Sequence, residues 1–357
     1  MSTPYGLGPE ALKVKPFEWD DRYDFPRDLV GYGEESFNPQ WPNGAKIAVS
    51  FGAEHTVLNG DIHSETHLWE APGGIPKVQQ RAVNIESEYD YGSRSGVWRL
   101  FRLFNKYNYK YTLYAVGKAI EDNPAVGISS VKNGHDVASH AYRWIDYADM
   151  PPEKEKAYIK KEIETIAKIC GEPPKGWYYG RLSSRSHALV WEVYKELGIP
   201  LVWESDSYAD DVPYWIDVPA EKDAEKPEGM LMVPYSYDCN DYKFNVPTGF
   251  GSPTDFYDHV KCAFDTLYDE GSEGAPKMMT IALHCRCIGK PGRFGALKKI
   301  VEYINSKEGV WVATRTQIAQ HFREKFPYQK GYLAPGMKRA EAESVQNAWP
   351  AHKDVPV

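Results

Sequence analysis

The stretch that decides the fold is Ser139-His140-Ala141-Tyr142-Arg143-Trp144, which follows Gly134-His135-Asp136-Val137-Ala138. Small and β-branched residues lead into a histidine, and aromatic and charged residues follow it, as at the end of a buried strand. Ile281-Ala282-Leu283-His284-Cys285-Arg286 has the same order. One such histidine could equally be a satisfied core residue. Two of them predict a sheet or barrel in which the carboxyl ends of strands form a site.

Strands and helices are predicted to alternate along the rest of the chain, which is typical of an α/β domain with a mainly parallel sheet or incomplete barrel. The predicted strands cover residues 46–51, 111–116, 176–180, 200–204, 231–237, 278–284 and 310–313. The predicted helices cover residues 95–107, 151–170, 186–197, 253–267 and 294–305, and a last helix runs through Phe322. An extended arm at 1–43 and a polar tail at 328–357 are expected to flank a single domain at 44–327.

The composition argues against several classes of protein. The chain of 357 residues has a net charge of −8 and no basic run, so nucleic-acid binding is not expected. No apolar run approaches about 18 residues and the N-terminal stretch is polar, so neither a membrane span nor secretion is expected. The five cysteines form neither a disulfide framework nor a zinc-knuckle spacing, which predicts a reducing cytoplasm.

Candidate reactive side chains follow five of the predicted strands. They are Glu54 and His55, His140, Arg181, Asp206 with Asp211, and His284. Each alone could be a salt-bridge or capping residue, but equivalent positions along an alternating fold predict that most of them line one site. His187, which opens a predicted helix near Arg181, is a further candidate.

A different reading makes Cys285 a nucleophile, if Arg286 and His284 lower the pKa of its thiol. In a regular strand, however, Cys285 faces the side opposite to His284. We therefore favour histidine chemistry over a cysteine nucleophile.

The order of these stretches resembles the NodB-type polysaccharide deacetylases, which are distorted (β/α) barrels. In that family the first strand ends in two Asp, a later strand carries two metal-binding His, and Arg, Asp and Leu-His follow on further strands. His140, Arg181 and Leu283-His284 match those positions.

The resemblance is closer to one offshoot, the metal-independent allantoinases of purine breakdown. It covers about residues 20–328 and is carried by the stretches 26–33, 89–99, 139–147, 176–181, 210–215 and 283–286. It implies hydrolysis of a small cyclic amide or ureide, with allantoin to allantoate as the specific expectation. It also implies a homo-oligomer, by analogy a tetramer.

The same comparison predicts that the chain uses neither a catalytic metal nor another cofactor. Trp144 stands where the second metal-binding His is expected, and Gly52 and Ala53 stand where the paired Asp are expected. His140 alone cannot hold a zinc ion. Glu54, His55, His63 and His67 could rebuild a metal site, but a solvated cluster is favoured for a polar loop.

Hydrolysis without a metal requires a base for water, donors for the oxyanion and an acid for the leaving nitrogen. The predicted catalytic residues are Glu54, His140, Asp206, Asp211 and His284, with the main acid–base role given to His284. The predicted substrate-binding residues are Tyr142, Trp144, Trp177, Arg181 and Arg286. Arginine suits the ureide oxygens or the oxyanion, and tryptophan suits stacking on a flat ring.

Three alternatives stay open at this point. The loop after Phe51 is shorter than in the allantoinases, so the substrate could be another cyclic amide, imide or ureide. A metal-dependent deacetylase of amino-sugar polymers is a rival enzyme. The third alternative is a relative without catalytic activity, in which the barrel serves only for binding.

Overall fold

The computed structural model describes residues 20–34, 36–56, 83–148 and 150–339. In these ranges the strands are β1 (Ile47–His55), β2 (Thr112–Ala115), β3 (Asp136–Ser139), β4 (Gly176–Trp177), β5 (Trp203–Glu204), β6 (Tyr214–Ile216), β7 (Met230–Met232), β8 (Lys277–His284), β9 (Val310–Val312), β10 (Tyr332–Ala334) and β11 (Met337–Lys338). The α-helices are α1 (Val83–Tyr91), α2 (Val97–Lys106), α3 (Gly117–Asp122), α4 (Pro124–Lys132), α5 (Pro152–Cys170), α6 (Ser186–Glu196), α7 (Pro253–Ser272), α8 (Pro291–Asn305) and α9 (Arg315–Lys325). His63 and His67, the two loop histidines considered as metal ligands, lie outside the described residues.

Strand β1 pairs with three other strands of a mixed sheet, which has the order β6-β7-β5-β4-β3-β2-β1-β8. Strand β9 also pairs with β1, along its amino-terminal half, while β2 pairs with its carboxyl-terminal half. All these pairs are parallel except β6 with β7. Every residue of β1 is buried, as expected for a parallel strand that is covered on both faces.

The sheet curves into a half-barrel with helices outside it. Helices α2, α7 and α8 pack on the outer face of β1, β2 and β8, and α5 and α6 pack outside β4. Tyr114, Trp203 and Tyr235 point to the inner side, where Ile318 and Phe322 of α9 cover one end. The predicted α/β class with a mainly parallel sheet is confirmed.

The register brings the carboxyl ends of the strands to one level. Glu54 of β1 pairs with His284 of β8, and Ala115 of β2 pairs with Ser139 of β3, which places His140 one residue beyond the paired region. Strands β4 and β5 continue this edge. Residues far apart in sequence therefore meet at one rim of the half-barrel.

The sequence prediction is least accurate at this rim. Strand β1 continues to His55 instead of ending at Phe51, because residues 52–55 pair with β2. The strands predicted at 176–180, 200–204 and 231–237 are only two or three residues long, because the chain leaves the sheet early to form the rim. Helices α1, α3 and α4 are additional elements that the apolar pattern did not predict.

Both predicted flanking segments contact the domain where they are described. Tyr32 and Trp41 of the arm are buried and donate hydrogen bonds to the carbonyl oxygens of Pro213 and Lys277. The beginning of the predicted tail forms the β10–β11 hairpin, in which Leu333 is buried. None of the helices in the described ranges is long and apolar enough to cross a membrane.

Candidate active site

The centre of the candidate site is the carboxylate of Glu54. Its Oε2 atom lies 2.7 Å from His284 Nε2 and 3.4 Å from His140 Nε2. Its Oε1 atom accepts a hydrogen bond of 2.6 Å from the hydroxyl of Tyr235. Glu54, His140 and His284 are only 4%, 1% and 4% exposed, so these contacts are shielded from bulk water. Three predicted residues are thus brought together, and Tyr235 joins them.

The charge state of Glu54 follows from its two histidine neighbours. Burial alone raises the pKa of a carboxyl group, because it disfavours the charged form. Here the interactions of Glu54 with His284 and then with His140 outweigh burial and hold the pKa of Glu54 well below its usual value. Glu54 is therefore a carboxylate.

His284 is held between two carboxylates. Its Nδ1 lies 2.6 Å from Asp241 Oδ1 while its Nε2 faces Glu54, so both ring nitrogens have an acceptor. Burial disfavours the charged ring, but Glu54 and Asp241 outweigh it and raise the pKa of His284 to about 9. His284 is accordingly an imidazolium at neutral pH, with a proton on each nitrogen.

Asp241 is a site residue that the sequence analysis missed. It is fully buried at the start of a 3₁₀ turn, Asp241–Asn245, and it accepts hydrogen bonds from the backbone N–H groups of His284 and Ile288. These bonds fix its carboxylate against the His284 ring. The available signal was an Asp shortly after a predicted strand, which is too common to single out without the tertiary contact.

His140 is oriented differently from His284. Its Nδ1 lies 3.0 Å from the carbonyl oxygen of Tyr178, which can only accept, so Nδ1 carries a proton and a neutral ring has its lone pair on Nε2. That Nε2 atom makes no hydrogen bond within the described residues. The ring stacks on Tyr178 at 5.1 Å, and Ala141, the next residue, has a φ of 62°. His140 is thus a candidate base beside Glu54.

Two arginines and an indole flank the Glu54 cluster, which consists of Glu54, His140, His284 and Tyr235. The Arg286 guanidinium lies 4.1 Å from the ring centre of Tyr89 and 5.3 Å from that of Trp144, and it donates to the Thr56 hydroxyl. The Arg181 guanidinium lies 4.2 Å from the ring centre of Trp144. The predicted grouping of Arg181, Arg286 and Trp144 is therefore present in the structure.

Asp206 lies at the same rim but contacts backbone. Its two carboxylate oxygens accept hydrogen bonds of 2.7 Å from the N–H groups of Tyr179 and Gly180, in the turn that leads to Arg181. Its own N–H donates to Glu204. Asp206 was predicted as a catalytic residue, but in this geometry its carboxylate holds the turn that leads to Arg181.

The structure places three predicted site residues away from Glu54. Trp177 is fully buried and packs on Tyr179 and Tyr194, so it has no free face for a substrate ring. Tyr142 turns toward helices α3 and α5, where its hydroxyl donates to Glu121 and its ring contacts that of Tyr158. Asp211 is exposed and lines a separate cavity of about 520 Å³ between the arm and Lys277.

His55 also lies outside the cluster, because successive strand residues face opposite sides. It is fully buried, neither of its ring nitrogens makes a hydrogen bond within the described ranges, and burial lowers its pKa to about 4. Cys285 packs in the apolar core on the side away from His284, as predicted, and burial raises the pKa of its thiol. His187 lies 3.7 Å from Glu204, in the region of β5.

Comparison with known proteins gives the family. The model of the family described as polysaccharide deacetylase matches residues 77–202. A Schizosaccharomyces pombe protein named "Putative polysaccharide deacetylase" is 47% identical over 317 residues, which cover 85% of this chain and 98% of that protein. The chain belongs to the polysaccharide deacetylase family.

Two solved structures of this family type are similar over most of the chain. The PuuE allantoinase is 39% identical with a TM-score of 0.76, over 86% of this chain and 100% of that one. A probable polysaccharide deacetylase from Pseudomonas aeruginosa is 38% identical with a TM-score of 0.75, over 85% and 100%. This chain is therefore a hydrolase that acts on C–N bonds other than peptide bonds, as predicted.

The divalent metal that the deacetylase resemblance implies does not fit the residues present. At the positions of the paired acids, a Cβ on Gly52 would lie 2.7 Å from the Tyr114 ring, and Ala53 is buried in the apolar core. At the position of the second histidine, Trp144 packs on Arg181 and Arg286, whose charges repel a cation. We therefore derive no step through a metal at this position.

Proposed function

We propose that this chain hydrolyses a small cyclic amide or ureide ring by side-chain chemistry without a catalytic metal, and that its reaction is allantoin to allantoate. The observation that carries the proposal is the buried Glu54 carboxylate between the free Nε2 of His140 and the protonated Nε2 of His284. A base and an acid then stand on either side of one carboxylate, as hydrolysis requires.

The first step is attack of water on the ring carbonyl. His140 Nε2 takes a proton from the water as its oxygen bonds to the carbonyl carbon, and Glu54 stabilises the imidazolium that forms. The guanidinium of Arg286, with Arg181 nearby, stabilises the oxyanion. A shielded site strengthens each of these charge interactions.

The second step breaks the C–N bond. His284 gives its Nε2 proton to the leaving nitrogen, and the ring opens to a carboxylic acid and a neutral amide or ureide nitrogen. The acid then loses its proton to solvent, which leaves a carboxylate. Glu54 Oε2 contacts both histidines, so it can pass the proton from His140 to His284 and restore the resting state. Asp241 keeps the His284 ring in place throughout.

The charge of the site also favours this reaction over removal of an acetyl group from a sugar polymer. Arg181, Arg286 and protonated His284 outnumber the carboxylates of Glu54 and Asp241. Ring opening leaves a carboxylate attached to the product, which this excess of positive charge stabilises, whereas deacetylation of an amino sugar leaves an ammonium group, which it repels. The name of the S. pombe relative keeps the polymer deacetylase as the second candidate.

The deciding experiment measures turnover of allantoin and of an acetylated amino-sugar oligomer by purified protein, with metal analysis and with added chelator. We expect hydrolysis of allantoin that chelator does not reduce, with less than stoichiometric metal. Turnover of the oligomer that disappears with chelator would favour the second candidate. A cytoplasmic location and a homo-oligomer, by analogy a tetramer, remain predictions alongside this proposal.

A further inference from the structure

Tyr242 is a half-buried residue that the mechanism above does not use. It follows Asp241 in the 3₁₀ turn, and its ring centre lies 5.7 Å from that of His284. Its hydroxyl is buried and makes no hydrogen bond within the described residues. Buried hydroxyls almost always have a partner, so an unpartnered one at the edge of a candidate site suggests that a ligand supplies the acceptor.

The surroundings of this hydroxyl keep it a donor. Burial raises the pKa of Tyr242 above its usual value of 10, although Arg286 and Arg181 act in the opposite direction. The phenol is therefore protonated at neutral pH. Three donor groups thus face the same region: one phenol and two guanidinium groups.

The number of hydrogen-bond donors indicates how many carbonyl oxygens the ligand has. A simple amide or lactam has one carbonyl oxygen, and hydrolysis commits that oxygen to the donors of the oxyanion. A ring with two carbonyl groups flanking one N–H has a second oxygen with two lone pairs of its own. Such a ring satisfies the Tyr242 hydroxyl, whereas a lactam leaves it buried and unpaired, which costs free energy.

We propose that Tyr242 is a substrate-contacting, specificity-determining residue whose hydroxyl donates to the second carbonyl oxygen of a cyclic ureide or imide. The enzyme then selects rings with two carbonyl groups, such as hydantoins and cyclic imides, over lactams with one. This inference depends on the proposed function, because it assumes that a ring is opened at the Glu54 cluster.

The test compares wild type with Tyr242→Phe on three substrates: allantoin, succinimide and the lactam 2-pyrrolidinone. Wild type should hydrolyse the two dicarbonyl rings and leave the lactam. For Tyr242→Phe we expect kcat/KM on the dicarbonyl rings to fall about 10²-fold, the loss typical of a removed hydrogen-bond donor in a shielded site. The pH profile of kcat/KM should keep its shape, because within the described residues the Tyr242 hydroxyl makes no hydrogen bond to Glu54 or His284.

Two variants serve as controls. Tyr107→Phe removes an exposed hydroxyl that bonds Glu302, and it should retain wild-type rates. Tyr235→Phe removes the donor to Glu54, and it should change the pH profile, which separates damage to the acid–base group from loss of a substrate contact. Thermal melting of each variant checks that the fold is intact.

The outcomes separate the two proposals. If wild type opens the dicarbonyl rings and Tyr242→Phe opens them equally well, the role of Tyr242 is wrong while the proposed function stands. If wild type opens the lactam as fast as the imide, the selectivity is wrong. If wild type opens none of these rings, the proposed function fails, and the role of Tyr242 fails with it.

Discussion

Glu54 and Glu204 are two buried glutamates at the carboxyl ends of parallel strands, and their pKa values are shifted in opposite directions. Glu54, at the end of β1, has two histidines beside it, which outweigh burial and lower its pKa. Glu204, at the end of β5, is 1% exposed and has Asp206 as its charged neighbour, so burial and then Asp206 raise its pKa well above the usual value. Both side chains are buried, and their neighbours decide in which direction the pKa of each glutamate moves.

The two regions accordingly have different tasks. The region around β1, β3 and β8 holds charges that can exchange a proton among Glu54, His140 and His284. The region around β4 and β5 uses its acids to hold backbone, because Asp206 binds two N–H groups and Glu204 binds the N–H of Asp206. A row of acids along one rim therefore contains both catalytic candidates and supports.

Glu54→Gln should have the largest effect. The neutral amide keeps the shape of the side chain but no longer stabilises the imidazolium of either histidine, so we expect kcat/KM to fall roughly 10³-fold, within the range for acid–base groups. Glu204→Gln is the matched control and should stay within about threefold of wild type, because burial and Asp206 already favour the neutral form of Glu204. Equal losses of kcat/KM in Glu54→Gln and Glu204→Gln, measured by steady-state kinetics with allantoin, would contradict the different tasks of the two regions.

The second-largest effect should come from the titration of His284. Its folded pKa of about 9 exceeds the usual 6.5, so its contribution to stability is complete below pH 6.5 and disappears as the pH rises through 9. Thermal unfolding at pH 6, 8 and 10 should show this loss, on the order of 3 kcal/mol at most. The loss should be much smaller in His284→Gln, and kcat of wild type should fall above about pH 9 as the acid loses its proton. If stability depends on pH identically in wild type and His284→Gln, protonated His284 does not stabilise the folded state.

Asp206→Asn examines the supporting region. One oxygen of Asp206 becomes an amide that cannot accept the N–H of Tyr179 or Gly180, so the turn before Arg181 loosens. We expect KM for allantoin to rise about tenfold while the alkaline limb of the pH profile keeps its position, with a loss of stability of about 1–2 kcal/mol. A shifted alkaline limb would mean that Asp206 acts on the histidines instead.

Glu204→Gln should also stabilise the protein slightly at neutral pH. Because the folded pKa of Glu204 is raised, its contribution to stability is complete below pH 4.5 and is lost as the pH increases, so the glutamate destabilises the folded state at pH 7. The amide removes that cost, and we expect a gain of about 1 kcal/mol at pH 7 and no gain at pH 4, measured by denaturant unfolding. A loss of stability at pH 7 would show that Glu204 is ionised like Glu54.

Much of the fold and part of the candidate site can be predicted from short stretches of the sequence. Apolar runs ending in His140 and His284 predicted two strands and their rim, and the alternation of strands and helices predicted the α/β class. Glu54 was predicted as a catalytic residue, although the strand that carries it was ended too early. Tyr235, Asp241 and Tyr242 were missed, because each lies after a short strand whose residues have no distinctive spacing.

The sequence by itself determined the type of fold, the family and most of the charged groups at the rim, because these depend on local apolar periodicity and on motifs that are contiguous in the chain. Only the tertiary structure decided which groups meet: it joined Asp241 to His284, turned Trp177 into the core and Tyr142 toward α5, and gave Glu54 its histidines and Glu204 its acid neighbour. The physical reason is that a pKa or a hydrogen bond depends on distances of a few ångström between residues that are remote in the chain. Those distances are set by sheet register and packing, which no single stretch contains.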